Sequence, residues 1–556
     1  MKNEIEDNFK GLNTFNHVVV LMLENRSFDN LLGYLFKHKD FKIPPGKSFD
    51  GLQDQGLHNP VPARAKGSSE NPNIKIHRAQ DMSQPFPDPG EVYQHVNTQL
   101  YNHVDKENIA IGQAEMKTPY NIPNPLPPVK ERMKGFINDY LNTLQGLWYD
   151  KLGPQNELSP RKRKKNEKLY AKFQNPDVDQ YKVIMQCFEP EQIPVLTKLA
   201  TNFAVFDHWF CSVPSQTWCN RAFWHAGTSA GKVINPTDEA KGESLDGMAS
   251  WMANVWPKST LFDLLEDKNI SHALYANPIF SVTHAVHGFS HNMNLVPNVF
   301  DLIEFKNDIN DCGDRPFPHY SFIEPKFFGK HNDQHPSSVP HGAFANDGKT
   351  TEGTVRLGEE LIRNVYDIIK NSPHRDDTLL IITHDEHGGC FDHIEPTQAV
   401  PPEKGMAGEK GFNFDRLGIR VPMVMVSSHI QENTIVNEVH DHTSFIKTMC
   451  KKWTLDGLTD RDKSQLTNTF ENIFTPTLRD WPEIPAAEIE LIENTEEEYD
   501  NHPLNELQRS MMKAATYIAN NNRTMSQVKF DPINLDNIDT VKEAKDYMES
   551  IKEWLK

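Results

Sequence analysis

Two apolar runs dominate the pattern of hydrophobic and polar positions along the chain. They are His17-Val18-Val19-Val20-Leu21-Met22-Leu23 and Thr378-Leu379-Leu380-Ile381-Ile382-Thr383-His384. Neither alternates with polar residues. Runs of this kind, rich in Val, Ile and Leu, read as strands buried on both faces of a parallel sheet. After the first run, Phe28, Leu31, Leu32 and Leu35 recur at helical spacing, so residues 17–35 predict a strand and then a helix. The pattern over 193–206 predicts a helix, Ile193 to Ala200, followed by a short strand, Phe203 to Phe206. Ser271 to Tyr275 and Val421 to Val426 predict further strands, and Leu357 to Ile369 an amphipathic helix just ahead of the second apolar run. This alternation predicts an α/β chain with a mostly parallel central sheet and helices on both faces.

Residues 40–130 are rich in Pro, Gly and Asn and carry no long periodic segment. That is too long for an idle loop, so they predict a loop-rich lobe framing a site within a core of residues 1–484. After Pro482 the texture changes. Residues 485–556 are charged, with no strand signal, and predict a helical C-terminal appendage.

A chain of 556 residues can bury a sizeable core. Its net charge of −19 argues against a general nucleic-acid binder. Part of that charge falls at Glu493, Glu496, Glu497, Glu498 and Asp500. The one strong basic run, Arg161-Lys162-Arg163-Lys164-Lys165, reads either as contact with an anionic membrane surface or as an exposed, solvated loop. No stretch approaches the ~20 apolar residues of a transmembrane helix. Met1 to Asn16 is polar, without the apolar core of a conventional signal peptide, so the expected location is cytoplasmic, with export by another route left open. The 6 cysteines form no C-x-x-C pair, which disfavours a structural zinc finger, and are too few for a disulfide scaffold.

Chemistry enters where the apolar runs stop. The first ends at Glu24 and Asn25, the second at Asp385 and Glu386. In an open parallel sheet, the carboxyl ends of strands are where ligands bind. A lone Asp-Glu after a strand is ordinarily a helix cap or a solvated loop. Two such ends, both following core-like strands, point to a site. Carboxylates gathered there would repel unless a cation lay between them. Three carboxylates and an amide oxygen suit a divalent metal; oxygen-rich ligation fits Ca, Mg and Mn and admits Zn. The Gly388-Gly389 pair permits close backbone approach and unusual dihedrals.

Four segments then occur in order: Glu24-Asn25-Arg26-Ser27-Phe28-Asp29; Ser215-Gln216-Thr217-Trp218-Cys219-Asn220-Arg221; Asp333-Gln334-His335-Pro336; and Asp385-Glu386-His387-Gly388-Gly389. Over roughly residues 15–450, the chain resembles the bacterial and fungal phosphoesterase family. That family comprises phosphatidylcholine-hydrolysing phospholipases C and acid phosphatases, and is similar in fold to the alkaline phosphatase superfamily. The resemblance implies a metal-assisted hydroxyl nucleophile three residues before an Asn, which maps to Thr217 and Asn220, with Ser215 as the rival. A Thr hydroxyl is a poor nucleophile at neutral pH. A divalent metal lowers its pKa and neutralises phosphate oxygens. Asn220 would then donate to a non-bridging oxygen of the substrate.

The resemblance also implies histidines that bind phosphate or protonate the leaving group, mapping to His335 and His393. Many phospholipase-type members resemble Asp-Pro-Gly-His where this chain has Asp88-Pro89-Gly90-Glu91. That departure shifts the role to His95, one helical turn on, and bears on choline-lipid specificity. His440 and His442 either support the metal ligands or belong to the core. Phe206, Trp209, Phe210 and Trp218 either offer cation–π contacts to a choline head group or belong to the core. A sulfatase would need Cys or Ser in a Cys/Ser-x-Pro-x-Arg context, which Cys219-Asn220-Arg221 does not provide. The larger phospholipases of the family carry β-rich C-terminal domains, so this chain resembles the shorter members. The expected function is a metal-dependent phosphoric ester hydrolase. A phospholipase C acting on phosphatidylcholine-type lipids through a phosphothreonine intermediate leads, and a broad-specificity acid phosphatase is the alternative. The expected partners are the phosphate-ester substrate and a peripheral membrane surface.

Overall fold

A computed structural model of the chain describes residues 11–53, 56–154, 156–236, 246–276, 281–287, 299–337, 354–486, 500–521, 535 and 538–555. The acidic run at 493–498 and most of the N-terminal segment read for a leader lie outside these residues. Among the described residues the central sheet has eight strands: β1 His17–Leu23, β2 Ala204–Phe206, β3 His272–Tyr275, β4 Val299–Phe300, β5 Tyr320–Ile323, β6 Thr378–His384, β7 Met423–Val426 and β8 Thr434–Val436. Their order across the sheet is β8-β2-β7-β6-β1-β5-β3-β4. Only β7 runs antiparallel, pairing so with both β6 and β2. The sheet is therefore mostly parallel, as the unbroken apolar runs predict.

β1 and β6 lie side by side at the centre, in a register that sets His17 beside Thr378 and Leu23 beside His384. All seven residues of each strand are buried, which requires cover on both faces. The predicted strands near 203, 271 and 421 appear as β2, β3 and β7, each starting one or two residues later than the apolar pattern does.

Around the sheet lie α1 (Tyr93–Tyr101), α2 (Pro160–Tyr170), α3 (Pro194–Asn202), α4 (Thr217–Ala226), α5 (Val355–Lys370), α6 (His442–Trp453), α7 (Glu506–Asn521) and α8 (Val541–Leu555). α3 starts with Pro194 in its first turn, where no backbone donor is lost. Its next amides, Val195 and Leu196, donate to the Glu359 carboxylate of α5 at 2.6 and 3.1 Å, so one helix caps the other.

Two segments differ from expectation. The lobe within 40–130 holds α1, a helix buried along all nine residues. Beside the apolar Tyr93, Val96 and Leu100 it buries Gln94, His95, Asn97 and Gln99, each of which makes side-chain hydrogen bonds, so the apolar pattern is diluted by polar residues. The basic run, for which one reading is an exposed loop, is instead helical and lies in α2, which is capped by the Ser159 side chain and opens on Pro160. At the C-terminus, α7 and α8 pack on each other through Met512, Ala515, Tyr547 and Met548. α7 also docks on α4, where Leu507 and Met511 join Trp218 and Phe223, and the Trp218 indole donates to Ser510 Oγ at 2.9 Å. No helix among the described residues is long and apolar enough to cross a membrane.

Candidate active site

The β1–β6 register brings Glu24 and Asp385 out of the sheet at one level. Asp385 N–H donates to Leu23 O at 3.1 Å, and Arg26 N–H to Glu386 O at 3.1 Å, so backbone pairing continues past the strand ends. Asn25 turns into the left-handed region, with φ 55°, and donates its backbone N–H to Asp385 Oδ1 at 3.2 Å. Glu24 N–H donates to Asp333 O at 2.8 Å, which draws in the third acidic segment. Gly388 has φ +60° and gives its N–H to Glu386 Oε2 at 2.7 Å; a Cβ there would lie 2.2 Å from Asn25 O. At Gly389, φ +65°, a Cβ would lie 2.5 Å from Gly90 O. The paired glycines are what let the two strand ends close on each other.

α4 delivers the hydroxyl. Thr217 is its first residue and is buried; Oγ1 donates to Glu24 Oε2 at 2.9 Å. Arg221, one turn on, donates Nε to Glu24 Oε1 at 3.1 Å, with Nε 3.4 Å from Asp385 Oδ2 and a terminal nitrogen 3.7 Å from Glu324 Oε1. The rival hydroxyl, Ser215, donates instead to the backbone carbonyl of Val233. Asn220 is spent on the loop ahead of the helix. Its Oδ1 accepts from Val213 N–H at 3.1 Å, and its Nδ2 donates to Val213 O at 3.1 Å and Ser215 O at 2.9 Å. Here it braces the 213–216 loop ahead of α4 rather than pointing a donor at Thr217.

Several oxygens in this cluster are buried without a hydrogen-bond partner among the described residues: Asn25 Oδ1, Asp385 Oδ2, Glu386 Oε1 and Asp333 Oδ2. Such groups are rare because each forfeits its hydration. Burial pushes the Glu24 carboxyl well above its usual range; Arg221 opposes this, and Asp385 and Asp333 add to it. Burial and the charge on Asp385 do the same to Glu386. Arg221 serves Glu24 and Asp385, and His331 lies 2.6 Å from Asp333, but Glu386 pairs with no Arg or Lys among the described residues, and two like charges 4 Å apart repel by about 4 kcal/mol at an effective dielectric of 20. The donor set of carboxylate and amide oxygens suggests a divalent cation held by Glu24, Asn25, Asp385 and Glu386.

Glu91 joins the cluster directly. Its carboxylate accepts from Asn25 Nδ2 and, at 3.2 Å, from Gln216 Nε2. Asp88, Glu91 and His335 each place one ligand atom within 4.8 Å of the others. Burial, then the charges on Glu91, Glu506 and Glu386, push the Asp88 carboxyl well up. His335 is buried and bonds Pro336 O through Nδ1 at 2.8 Å, so that nitrogen carries a proton; Nε2 lies 3.8 Å from Asp88 Oδ2. Burial lowers its pKa. Sequence reasoning did not assign Asp88, Glu91 or Arg221. The signal for the first two was the Asp88-Pro89-Gly90-Glu91 segment, where the family pattern breaks.

His95 lies on α1 with Nδ1 2.7 Å from Asp139 Oδ1. Burial works against its charged form, but Asp139 more than compensates and raises the pKa. It lines a cavity of about 230 Å³ together with Asp88, Glu91, Glu506 and Arg509, so the C-terminal helix α7 supplies one wall beside the site. His393 sits in a separate network. Its Nδ1 is 2.5 Å from Asp29 Oδ2, and Arg420 bridges Asp29 Oδ1 and Asp392 Oδ1, each at 3.0 Å. The contacts the structure gives His393 are not with Thr217 or the acidic cluster. His442 supports the site from behind, with Nε2 donating to Asp385 O at 2.7 Å and Nδ1 accepting from the Trp209 indole at 3.3 Å. His440 stacks on Trp209 with ring centroids 5.5 Å apart. Phe206, Trp209, Phe210 and Trp218 are fully buried and belong to the core, so they offer no face to a choline group.

The family model described as the phosphoesterase family matches residues 15–456. Non-specific phospholipase C6 of Arabidopsis thaliana is 29% identical over 554 residues, covering 96% of this chain and 85% of its own. Non-specific phospholipase C3 of the same plant is 27% identical over 526 residues, covering 90% and 82%. A crystal structure of a protein in the alkaline phosphatase superfamily from Vibrio parahaemolyticus overlays 50% of this chain and 64% of its own, with a TM-score of 0.30 and 13% identity. The buried hydroxyl of Thr217, set against acidic strand ends, thus sits in a phosphoester-hydrolysing enzyme, and the chain belongs to the phosphoesterase family.

Proposed function

We propose that this enzyme is a metal-dependent phospholipase C that cleaves phosphatidylcholine-type lipids on the glycerol side of the phosphodiester, with Thr217 as nucleophile. The observation that carries the reading is the 2.9 Å hydrogen bond from Thr217 Oγ1 to Glu24 Oε2 at the start of α4, among buried oxygens without partners. A divalent cation held by Glu24, Asn25, Asp385 and Glu386 would lower the hydroxyl pKa and neutralise phosphate oxygens. Glu24 Oε2 orients the Thr217 hydroxyl. The N-terminus of α4 favours the phosphate charge. Attack of Oγ1 on phosphorus, with its proton passing to Glu24 Oε2, forms a phosphocholine ester of Thr217 as the diacylglycerol oxygen leaves with a proton, and water then cleaves the Oγ1–phosphorus bond to release phosphorylcholine and restore the hydroxyl. The names of the relatives described above, which align over most of both chains, support a phospholipid substrate.

α2 presents Arg161, Lys162, Lys164 and Lys165 to solvent. We place this helix against an anionic membrane surface, where each basic residue contributes about 1 kcal/mol.

A broad phosphomonoesterase is the second reading. It is favoured by the cavity of about 230 Å³, which suits a head group better than a whole lipid. One substrate panel separates the two: phosphatidylcholine, phosphatidylethanolamine, phosphorylcholine and nitrophenyl phosphate, each with and without chelator. Release of diacylglycerol and phosphorylcholine from phosphatidylcholine, abolished by chelator, is the expected result. Turnover of the monoesters alone moves the assignment to a phosphatase.

A further inference from the structure

The N-terminal ends of β1 and β6 carry a second group of ligating side chains, at the far end of the sheet from the acidic cluster. His17 is the first residue of β1, and His374 and Asp377 lie in the turn that feeds β6. One ligand atom of each falls within 4.8 Å of the other two. We propose that His17, His374 and Asp377 form a transition-metal site of the zinc class, with the remaining coordination positions filled by water.

The protonation pattern of both imidazoles suits this. Metal-bound histidines ordinarily donate their other ring N–H to a backbone carbonyl or a carboxylate, which fixes the tautomer. His17 Nδ1 lies 2.8 Å from Pro318 O, leaving Nε2 as the lone-pair nitrogen, 4.0 Å from Asp377 Oδ2. His374 repeats the arrangement with its nitrogens exchanged. Nε2 lies 3.4 Å from Asp311 Oδ1, and Nδ1 is 3.7 Å from Asp377 Oδ1. The two rings meet edge to face with centroids 4.8 Å apart. Asp377 is itself positioned: its backbone carbonyl accepts from Asn16 N–H at 2.7 Å, and its Oδ2 accepts from Asn16 Nδ2 at 3.0 Å. Donor atoms of a tetrahedral zinc site lie about 3.3 Å apart, so side-chain rotation of about 1 Å closes the set.

Two imidazole nitrogens and one carboxylate oxygen select zinc-class ions over calcium or magnesium, in contrast to the all-oxygen cluster at the other end of the sheet. β1 spans about 23 Å, which separates the two sites. The distal ion would staple the starts of the two central strands.

The test is zinc binding by equilibrium dialysis with elemental analysis, using the full chain and the variants His374→Ala and Asp377→Asn. Each variant is expected to bind one zinc fewer per chain than the wild type, or to bind it more than tenfold more weakly, with hydrolase activity unchanged. Added zinc should raise the thermal midpoint of the wild type more than that of either variant. Asp377→Asn is nearly isosteric, so it gives the answer if His374→Ala fails to fold. Equal zinc stoichiometry and affinity in the wild type and Asp377→Asn would overturn the proposal. Loss of hydrolase activity in parallel with zinc would also overturn it, because the bound ion would then be the one at the acidic cluster.

Discussion

Thr217 and Arg221, one helical turn apart on α4, hold the two oxygens of a single carboxylate: Oγ1 donates to Glu24 Oε2 at 2.9 Å, and Nε donates to Oε1 at 3.1 Å. The helix therefore presents hydroxyl and guanidinium to the same group, and the hydroxyl cannot turn away without breaking a buried hydrogen bond. Thr217→Ala should lower turnover by ~10³-fold or more, as expected when a covalent route is lost. Thr217→Ser keeps the hydroxyl and should retain partial activity. Ser215→Ala loses only a bond to Val233 O and should remain active. The reverse ranking, measured as kcat on one substrate, would move the nucleophile to Ser215.

Asp385 joins the two strand ends, accepting from Asn25 N–H while its Oδ2 lacks a hydrogen-bond partner. Asp385→Ala should remove bound metal and nearly all activity while leaving the circular dichroism spectrum close to that of the wild type. Metal content by elemental analysis checks the first part. Full activity in chelator-stripped wild-type protein would sink the metal assignment.

Glu91 stands where the resemblance to phospholipase-type members implies a histidine, and it accepts from Asn25 Nδ2 and Gln216 Nε2. A hydrogen bond to a buried charged group contributes about 1.5–3 kcal/mol. Glu91→Ala should therefore lower kcat/KM by at least tenfold. Glu91→Gln still offers Asn25 an oxygen, so it should fall less. Equal losses in both variants would show that the charge of Glu91, not its hydrogen bonds, is what the site uses.

The strand ends were legible because a doubly buried parallel strand cannot hide its composition, and Glu24, Asn25, Asp385 and Glu386 follow such strands at once. The paired glycines were legible for a similar reason, since close approach at Gly388 and Gly389 leaves room for no side chain. Arg221, Asp333 and Asp88 were not read as partners of the cluster, because each reaches it only through tertiary contacts. α1 escaped because its apolar positions, Tyr93, Val96 and Leu100, span only nine residues and are outnumbered by polar ones that are buried as well, so the 3.6-residue period is too short to stand out. Asn220 shows the limit of motif transfer. The motif marks the residue, and only the loop geometry shows that its amide bonds to the backbone of 213–216.

The Asp29–His393 pair makes a pH prediction. Burial opposes the charged form of His393, but Asp29 outweighs it and raises the pKa above 6.5. The Asp29 pKa is lowered below 3.8 despite burial, through His393 and Arg420. A raised histidine pKa contributes stability that is complete below about pH 6.5 and fades as pH rises through the folded value. A lowered carboxyl pKa contributes stability that is present above about pH 3.8 and is lost as pH falls through the folded value. Asp29→Asn should therefore destabilise most between these limits, by about 3 kcal/mol since Arg420 keeps Asp392, and less above neutrality. Denaturant titrations at pH 5.5 and 8.5 check the sign, and the variant should also return the His393 imidazole titration toward or below 6.5 in NMR.

The leaving group poses the sharpest question. A diacylglycerol alkoxide needs a proton as its bond to phosphorus breaks, whereas nitrophenolate leaves without one. The structure ranks the three histidines expected from the sequence. His393 is committed to Asp29, His95 lines the cavity beside Glu91, and His335 stands next to Asp88. Because His335 Nδ1 is given to Pro336 O, its Nε2 can deliver a proton only after receiving one. Asp88, whose carboxyl is pushed well up by burial and by Glu91, has Oδ2 3.8 Å from that nitrogen and would supply the proton after closing to hydrogen-bond distance. His335→Ala and Asp88→Asn should therefore each lose far more activity on phosphatidylcholine than on a nitrophenyl phosphodiester. His393→Ala should lose both in the same proportion, as should any histidine that only binds phosphate or supports the fold. If His95→Ala alone shows the selective loss, the acid lies in the cavity wall. Parallel losses across all four variants would mean that none of these side chains delivers the proton, leaving water in the site as its source.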